Sequence, residues 1–197
     1  MKGKPQQKDC KLCSLCKERT QVVVSDGGIR RCNFVFVGEG PGEEEDQEGR
    51  AFIGTTGKFL RKHVKKNTGL VLGKDAIVLN SVSCRPPGNR DPKPDEVLTC
   101  RSWLQLNLSI IQPRFIVAVG RFSAWTFIDE KIDRIGKGYF YNKHHFRDEW
   151  KLDRFKFKVI QIWHPGYVWR NRTEGTLIAW RRQMIAFADM AKEMGYM

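Results

Sequence analysis

The 197 residues contain no run near the ~20 apolar residues that a membrane-spanning helix needs, so no such span is expected. The opening Met1-Lys2-Gly3-Lys4-Pro5, leading into Gln6-Gln7-Lys8-Asp9, lacks the apolar core of a signal peptide; the expected setting is cytoplasmic. Internal repeats and low-complexity tracts are also missing, and the length suits one domain over 1–197 with a sizeable core. Acidic residues are in short supply. Asp and Glu number 22 against 35 Lys and Arg, a net charge of +13 with a pI near 9.7. The basic residues are spread along the chain, as at Arg30-Arg31, Arg170 to Arg172 and Arg181-Arg182, rather than gathered in a tail. A folded basic face for a polyanion such as nucleic acid fits this better than a basic protein kept soluble by charge.

Six cysteines in a cytoplasmic chain argue for metal or free thiols rather than disulfides. Cys10-Lys11-Leu12-Cys13 is a C-x2-C pair, and Cys16 makes a second one with Cys13, so spacing leaves the register open. Cys84 and Cys100 bracket a proline-rich loop, which a helix follows. Four thiolates brought together suit zinc or an iron-sulfur cluster, and spacing does not choose between them. Cys32, at a strand entrance, reads as a small buried apolar residue.

The chain centres on Phe34-Val35-Phe36-Val37-Gly38-Glu39-Gly40-Pro41-Gly42, an apolar run without polar alternation that stops in a glycine-rich, acidic turn. Such a run suits a strand buried on both faces, and its glycines let a ligand approach the backbone. Further strands are expected over 76–82, 115–119 and 157–163. Helices are expected over 56–67, 94–111, 122–128 and 175–192, with Leu104, Leu108 and Ile111 as one buried stripe. Residues 138–155 read as a hairpin or long loop. This alternation predicts a three-layer α/β/α fold with a central, mainly parallel four-stranded sheet, whose ligand crevice lies at the carboxyl ends of the strands. Glu39, Asn80, Gly120 and His164 each stand at or just past such an end.

Cys10-x2-Cys13, Gly38 to Gly42 with Glu45-Asp46, Gly49, Phe52, Asn80, Cys84-Arg85-Pro86-Pro87-Gly88-Asn89-Arg90, Cys100 and His164-Pro165 together resemble the iron-sulfur, family 4 type of uracil-DNA glycosylase, from Cys10 to about Asn171. The resemblance implies a 4Fe-4S cluster on Cys10, Cys13, Cys84 and Cys100, with Cys16 where relatives often carry histidine. It implies hydrolysis of the N-glycosidic bond of a flipped-out deoxyuridine, leaving an abasic site. Catalytic roles fall to Glu39 (water), Asn80 (base recognition) and His164 (the leaving base). Gly40, Gly42, Glu45, Phe52, Asn80 and Asn89 are the implied base-binding residues, with Glu45 closing the edge that thymine's methyl would meet. Gly166 and Trp163 depart from the family pattern. The alternatives are a glycosylase for another modified base, such as a 5-substituted uracil, and a DNA-binding module without catalysis. In the loop expected after His164, Tyr167, Val168 and Trp169 precede Arg170 and Arg172, which suits a wedge into DNA beside phosphate-binding cations; the other reading packs Trp169 into the core. The expected partner is uracil-containing DNA, single- and double-stranded, met by a monomer.

Overall fold

The computed structural model describes residues 7–129, 140–141, 146–150 and 156–197. Strands β1 (Phe34–Gly38), β2 (Ile77–Asn80), β3 (Phe115–Val119), β4 (Phe140–Tyr141) and β5 (Lys158–Ile162) form one sheet in the order β2-β1-β3-β5-β4. The four strands read from the sequence are parallel. Only the two-residue β4 runs antiparallel, at the edge beside β5. Apart from it, little of 138–155 lies within the described residues.

Six α-helices are described: α1 (Glu43–Glu48), α2 (Thr55–Thr68), α3 (Pro94–Ile111), α4 (Arg121–Phe127), α5 (Pro165–Arg170) and α6 (Glu174–Glu193). Side chains alternate across β1, so Phe34 and Phe36 point to one layer and Val35 and Val37 to the other. The first pair packs with Leu60 and Val64 of α2, Val168 of α5, and Trp180, Met184 and Phe187 of α6. The second packs with Leu104, Leu108 and Ile111 of α3 and with Ala124 and Phe127 of α4. Helices therefore cover both faces, which explains why the strands carry no polar alternation.

Local chemistry sets the helix limits. Pro94 occupies the first turn of α3 while the Glu96 carboxylate accepts the Lys93 N–H at 2.8 Å. At the other end of α2, Gly69 takes φ 80° and its N–H closes on the Lys65 carbonyl. Two expectations need correction. The segment after His164 is a helix, because Pro165 supplies a preset φ at its first position and the His164 side chain accepts the Gly166 N–H. Cys32 is only half-buried, its Sγ 3.4 Å from the carbonyl oxygens of Phe34 and Asp75. No described helix is long and apolar enough to cross a membrane.

Candidate active site

Parallel register brings the polar strand ends together. Gly38 pairs with Asn80 across β1 and β2, and Val119 with Ile162 across β3 and β5, so Glu39, Asn80, Gly120 and His164 emerge along one crest of the sheet. Two glycines leave the space these groups use. A Cβ on Gly120, whose φ is 97°, would lie 2.7 Å from Glu39 Oε1 and 3.2 Å from His164 Cβ. One on Gly38 would lie 2.5 Å from Asn80 Oδ1 and 2.3 Å from the Phe52 ring. Above the crest is a cleft of about 350 Å³. Glu39, Gly40, Gly42, Glu45, Phe52, Asn80, Asn89, His164 and Arg170, all named from the sequence, line it together.

The polar groups differ in how they are satisfied. Asn80 is 5% exposed and its Oδ1 is buried without a hydrogen-bond partner among the described residues, although a buried amide oxygen left unpaired costs about 1–3 kcal/mol. His164 has a fixed tautomer. The Gly166 N–H can only donate, and it reaches His164 Nδ1 at 3.1 Å, so in the neutral ring the proton sits on Nε2. Burial, with Arg170 adding positive charge, pulls His164 down to about 4, and the ring is neutral at pH 7. Glu39 moves the opposite way. Burial and the neighbouring Asp91 push it up to about 7, against the pull of Arg121 and the Phe122 N–H.

Glu45 is not a solvated helix-start carboxylate. It is 9% exposed, its Oε1 accepts the Gly54 N–H at 2.8 Å, and its Oε2 accepts the Gly42 N–H at 3.2 Å. That second oxygen lies 2.8 Å from where a Gly42 Cβ would stand, so the carboxylate occupies the place a side chain at 42 would take. Asn89 Oδ1 accepts from Arg85 Nε at 2.8 Å. Sequence reading gave no role to Asp91 or Arg90, which also line the cleft: Asp91 ends no strand and lies outside the motifs, and Arg90 closes the Cys84-to-Arg90 motif without a task of its own.

Helix α5 flanks the cleft. Tyr167 and Trp169 are 40% and 37% exposed, so Trp169 is not a core residue. Its ring edge meets Phe59 at 5.2 Å between centroids, and the Arg172 guanidinium lies over its face at 4.0 Å. Behind α5, the side chains of α6 hold both peptide groups of Trp163. Its N–H reaches Gln183 Oε1 at 2.9 Å, and its carbonyl accepts Trp180 Nε1 at 3.0 Å.

The family model of the uracil DNA glycosylase superfamily matches residues 25–187, which span the sheet, the cleft and α5. The chain belongs to this superfamily. It is 39% identical over 169 residues to a Type-4 uracil-DNA glycosylase of Thermotoga maritima, covering 84% of this chain and 81% of that one. A Type-4 uracil-DNA glycosylase of Saccharolobus solfataricus is 36% identical over 162 residues, covering 80% of this chain and 71% of its own length. For the one from Archaeoglobus fulgidus the identity is 38% over 164 residues, with 81% and 77% covered.

In this uracil DNA glycosylase superfamily member a second pocket holds the thiols. Cys10, Cys13, Cys16, Cys84 and Cys100 all line it, among Leu12, Leu15, Val22, Val82 and Trp103. Arg19 donates to Cys84 Sγ at 2.9 Å and to the Cys10 carbonyl at 2.6 Å, and Trp103 Nε1 donates to Cys10 Sγ at 3.2 Å. Burial raises the thiols of Cys13 and Cys84 above the usual cysteine range and pushes Cys100 up to about 11. Among the described residues no group of three or more His, Cys, Asp or Glu gathers to hold one metal ion. Glu96 ties the cleft-lining Arg90 to the residue after Cys13: its carboxylate accepts from Arg90 at 2.6 and 2.8 Å and from Ser14 at 3.4 Å.

Proposed function

We propose that this protein hydrolyses the N-glycosidic bond of deoxyuridine in DNA, releasing uracil and leaving an abasic site. The observation that carries the reading is the unpaired Asn80 Oδ1 beside the Phe52 ring in a cleft of about 350 Å³. Asn80 Oδ1 accepts uracil N3–H and its Nδ2 donates to O4, an order that cytosine reverses. The Phe52 ring stacks on the base. As the bond from N1 to the sugar breaks, both electrons leave with uracil, and His164 Nε2–H donates to the oxyanion that develops there while the sugar gains oxocarbenium character. Glu39 then orients a water toward the anomeric carbon and takes its proton, a task suited to a base near 7.

The thiol pocket supports a 4Fe-4S cluster on Cys10, Cys13, Cys84 and Cys100, the pairing that the resemblance selects over one using Cys16. A donor set of thiols alone, in an apolar pocket with N–H donors aimed at sulfur, fits an iron-sulfur core, whose cysteines stand farther apart than ligands of one ion. When bound, the cluster supplies a covalent strap between the N-terminal segment and the loop after β2. Single- and double-stranded DNA are the proposed substrates and a monomer the working form; Tyr167 and Trp169, beside Arg170 and Arg172, are the proposed wedge on duplex DNA.

Uracil-containing oligonucleotides, single- and double-stranded, treated with the protein and then alkali, are expected to break at uracil. Breakage only at a 5-substituted uracil would overturn the reading in favour of a modified base. Alanine at both Tyr167 and Trp169 is expected to lower duplex activity more than single-strand activity; an equal loss on both removes the wedge.

A further inference from the structure

Phe52 adopts φ 57°, in the left-handed region that bulky side chains rarely visit. A residue is held there only when its surroundings over-determine it. Two residues of α2, four apart and therefore on one face, enclose the Phe52 peptide. Gly57 is the first: a Cβ there would stand 2.3 Å from the Phe52 carbonyl carbon and oxygen. Arg61 is the second. Its Nε donates to the Phe52 carbonyl at 2.8 Å, one terminal nitrogen to the Ala51 carbonyl at 2.9 Å, and the other to the Leu72 carbonyl at 2.7 Å. The same guanidinium pairs with Asp26, whose backbone is tied to Val78 of β2 by bonds of 2.9 and 3.0 Å. A path thus runs from the sheet through Asp26 and Arg61 to the turn that presents the Phe52 ring over Gly38 in the cleft.

We infer that Arg61 is a positioning residue for base stacking, acting through the Phe52 carbonyl and anchored by Asp26. The inference rests on the proposed function, in which that ring stacks on uracil. Arg61 touches no substrate. Its planar fork closes three carbonyls at once, which a lysine cannot do with one nitrogen even though it keeps the charge opposite Asp26.

The test compares wild type with Arg61→Lys, Asp26→Asn and Phe52→Ala in the full chain, reading inhibition by free uracil, kcat, KM for uracil-containing DNA, and melting temperature. Arg61→Lys is expected to raise the uracil inhibition constant roughly tenfold, as loss of a stacking contact would, and to lower kcat while KM for DNA stays within twofold. Asp26→Asn, nearly isosteric, is expected to move the same constant in the same direction by less. In a Phe52→Ala background Arg61→Lys is expected to add nothing, because the ring it aims is gone. A lowered melting temperature with wild-type uracil inhibition in both Arg61→Lys and Asp26→Asn, or full additivity with Phe52→Ala, would make Arg61 a structural residue only. If Arg61→Lys does not fold, Asp26→Asn carries the same comparison. Wild-type protein that neither releases nor binds uracil would overturn the function and this role together; wild-type activity with unchanged variants would overturn this role alone.

Discussion

The cleft and the thiol pocket each gather residues far apart in sequence, yet they are held together by different means. In the cleft, Glu39, Asn80 and His164 stand at the ends of strands locked in parallel register, and Gly38 and Gly120 leave room for those side chains. In the thiol pocket, Cys10 and Cys13 belong to the N-terminal segment outside the sheet, Cys84 to the loop after β2, and only Cys100 to a long helix. Arg19 and Trp103 bridge these pieces with N–H to sulfur bonds. A strand end positions a functional group before any ligand arrives, whereas loops depend on a cross-link.

Changes in the cleft should therefore fall mainly on chemistry, and changes in the thiol pocket mainly on stability. The largest expected effect is at His164. His164→Ala should lower kcat by about 10² to 10³, as loss of an oxyanion donor does, with a melting temperature lowered only by the few degrees that losing the cap of α5 costs; single-turnover rates and a thermal scan decide it, and a loss of stability as large as that from breaking the thiol pocket would break the contrast. Glu39 comes next. A base is needed ionised, so activity should fall about tenfold per pH unit as pH drops below about 7, and Glu39→Gln should flatten that limb. His164, already neutral above about 4, does not produce it. The sign for stability is opposite: a carboxyl raised from 4.5 to about 7 adds stability that is present at low pH and lost as pH rises through 7. Glu39→Gln should gain stability relative to wild type at pH 8 but not at pH 5, by denaturant melts.

Third is the cross-link. Anaerobically purified protein should be brown with about four iron and four sulfide per chain, and Cys84→Ala should lose the colour. Its melting temperature should drop by about 10 °C, the scale of losing one cross-link in a chain this size, with free-uracil inhibition kept within twofold. Colourless wild type with one zinc would replace the cluster. The smallest effect is expected at Glu45. Glu45→Ala should relax discrimination against thymine and 5-hydroxymethyluracil by about tenfold, the scale of one misfitting methyl in a pocket, measured on matched oligonucleotides. Unchanged selectivity would take Glu45 out of the pocket wall.

Three strands were legible as unbroken apolar runs ending in glycine or a polar residue, and the fourth, β5, as a mostly apolar run interrupted by Lys158 and Gln161; β1, β3 and β5 fall within a residue or two of their expected limits. Helices α1 and α5 were not. Glu43 to Glu48 carries no apolar stripe, and α5 is a six-residue helix whose only signal is Pro165. Glu45 was separable from Glu43 and Glu44 only through resemblance, since three adjacent glutamates look alike until the Gly54 N–H picks one. Arg61 was hidden in a basic stretch with Lys62, Lys65 and Lys66. Nothing in a single sequence tells an inward guanidinium from a solvated neighbour. The cysteine register stayed open for a related reason: Cys16 lines the same pocket as Cys10 and Cys13.

The grip of α6 on Trp163 also orders events during synthesis. At roughly 5–20 residues per second the ribosome delivers Glu39, Phe52 and Asn80 well before Trp180 and Gln183, whose side chains hold the carbonyl and N–H of Trp163 just ahead of His164. Until those two residues have emerged and packed, the turn that carries the imidazole lacks the two bonds that anchor the Trp163 peptide groups. A nascent chain thus acquires its proposed base-binding groups early and its proposed leaving-group donor late, and under that reading the site is complete only when the final helix closes over the sheet.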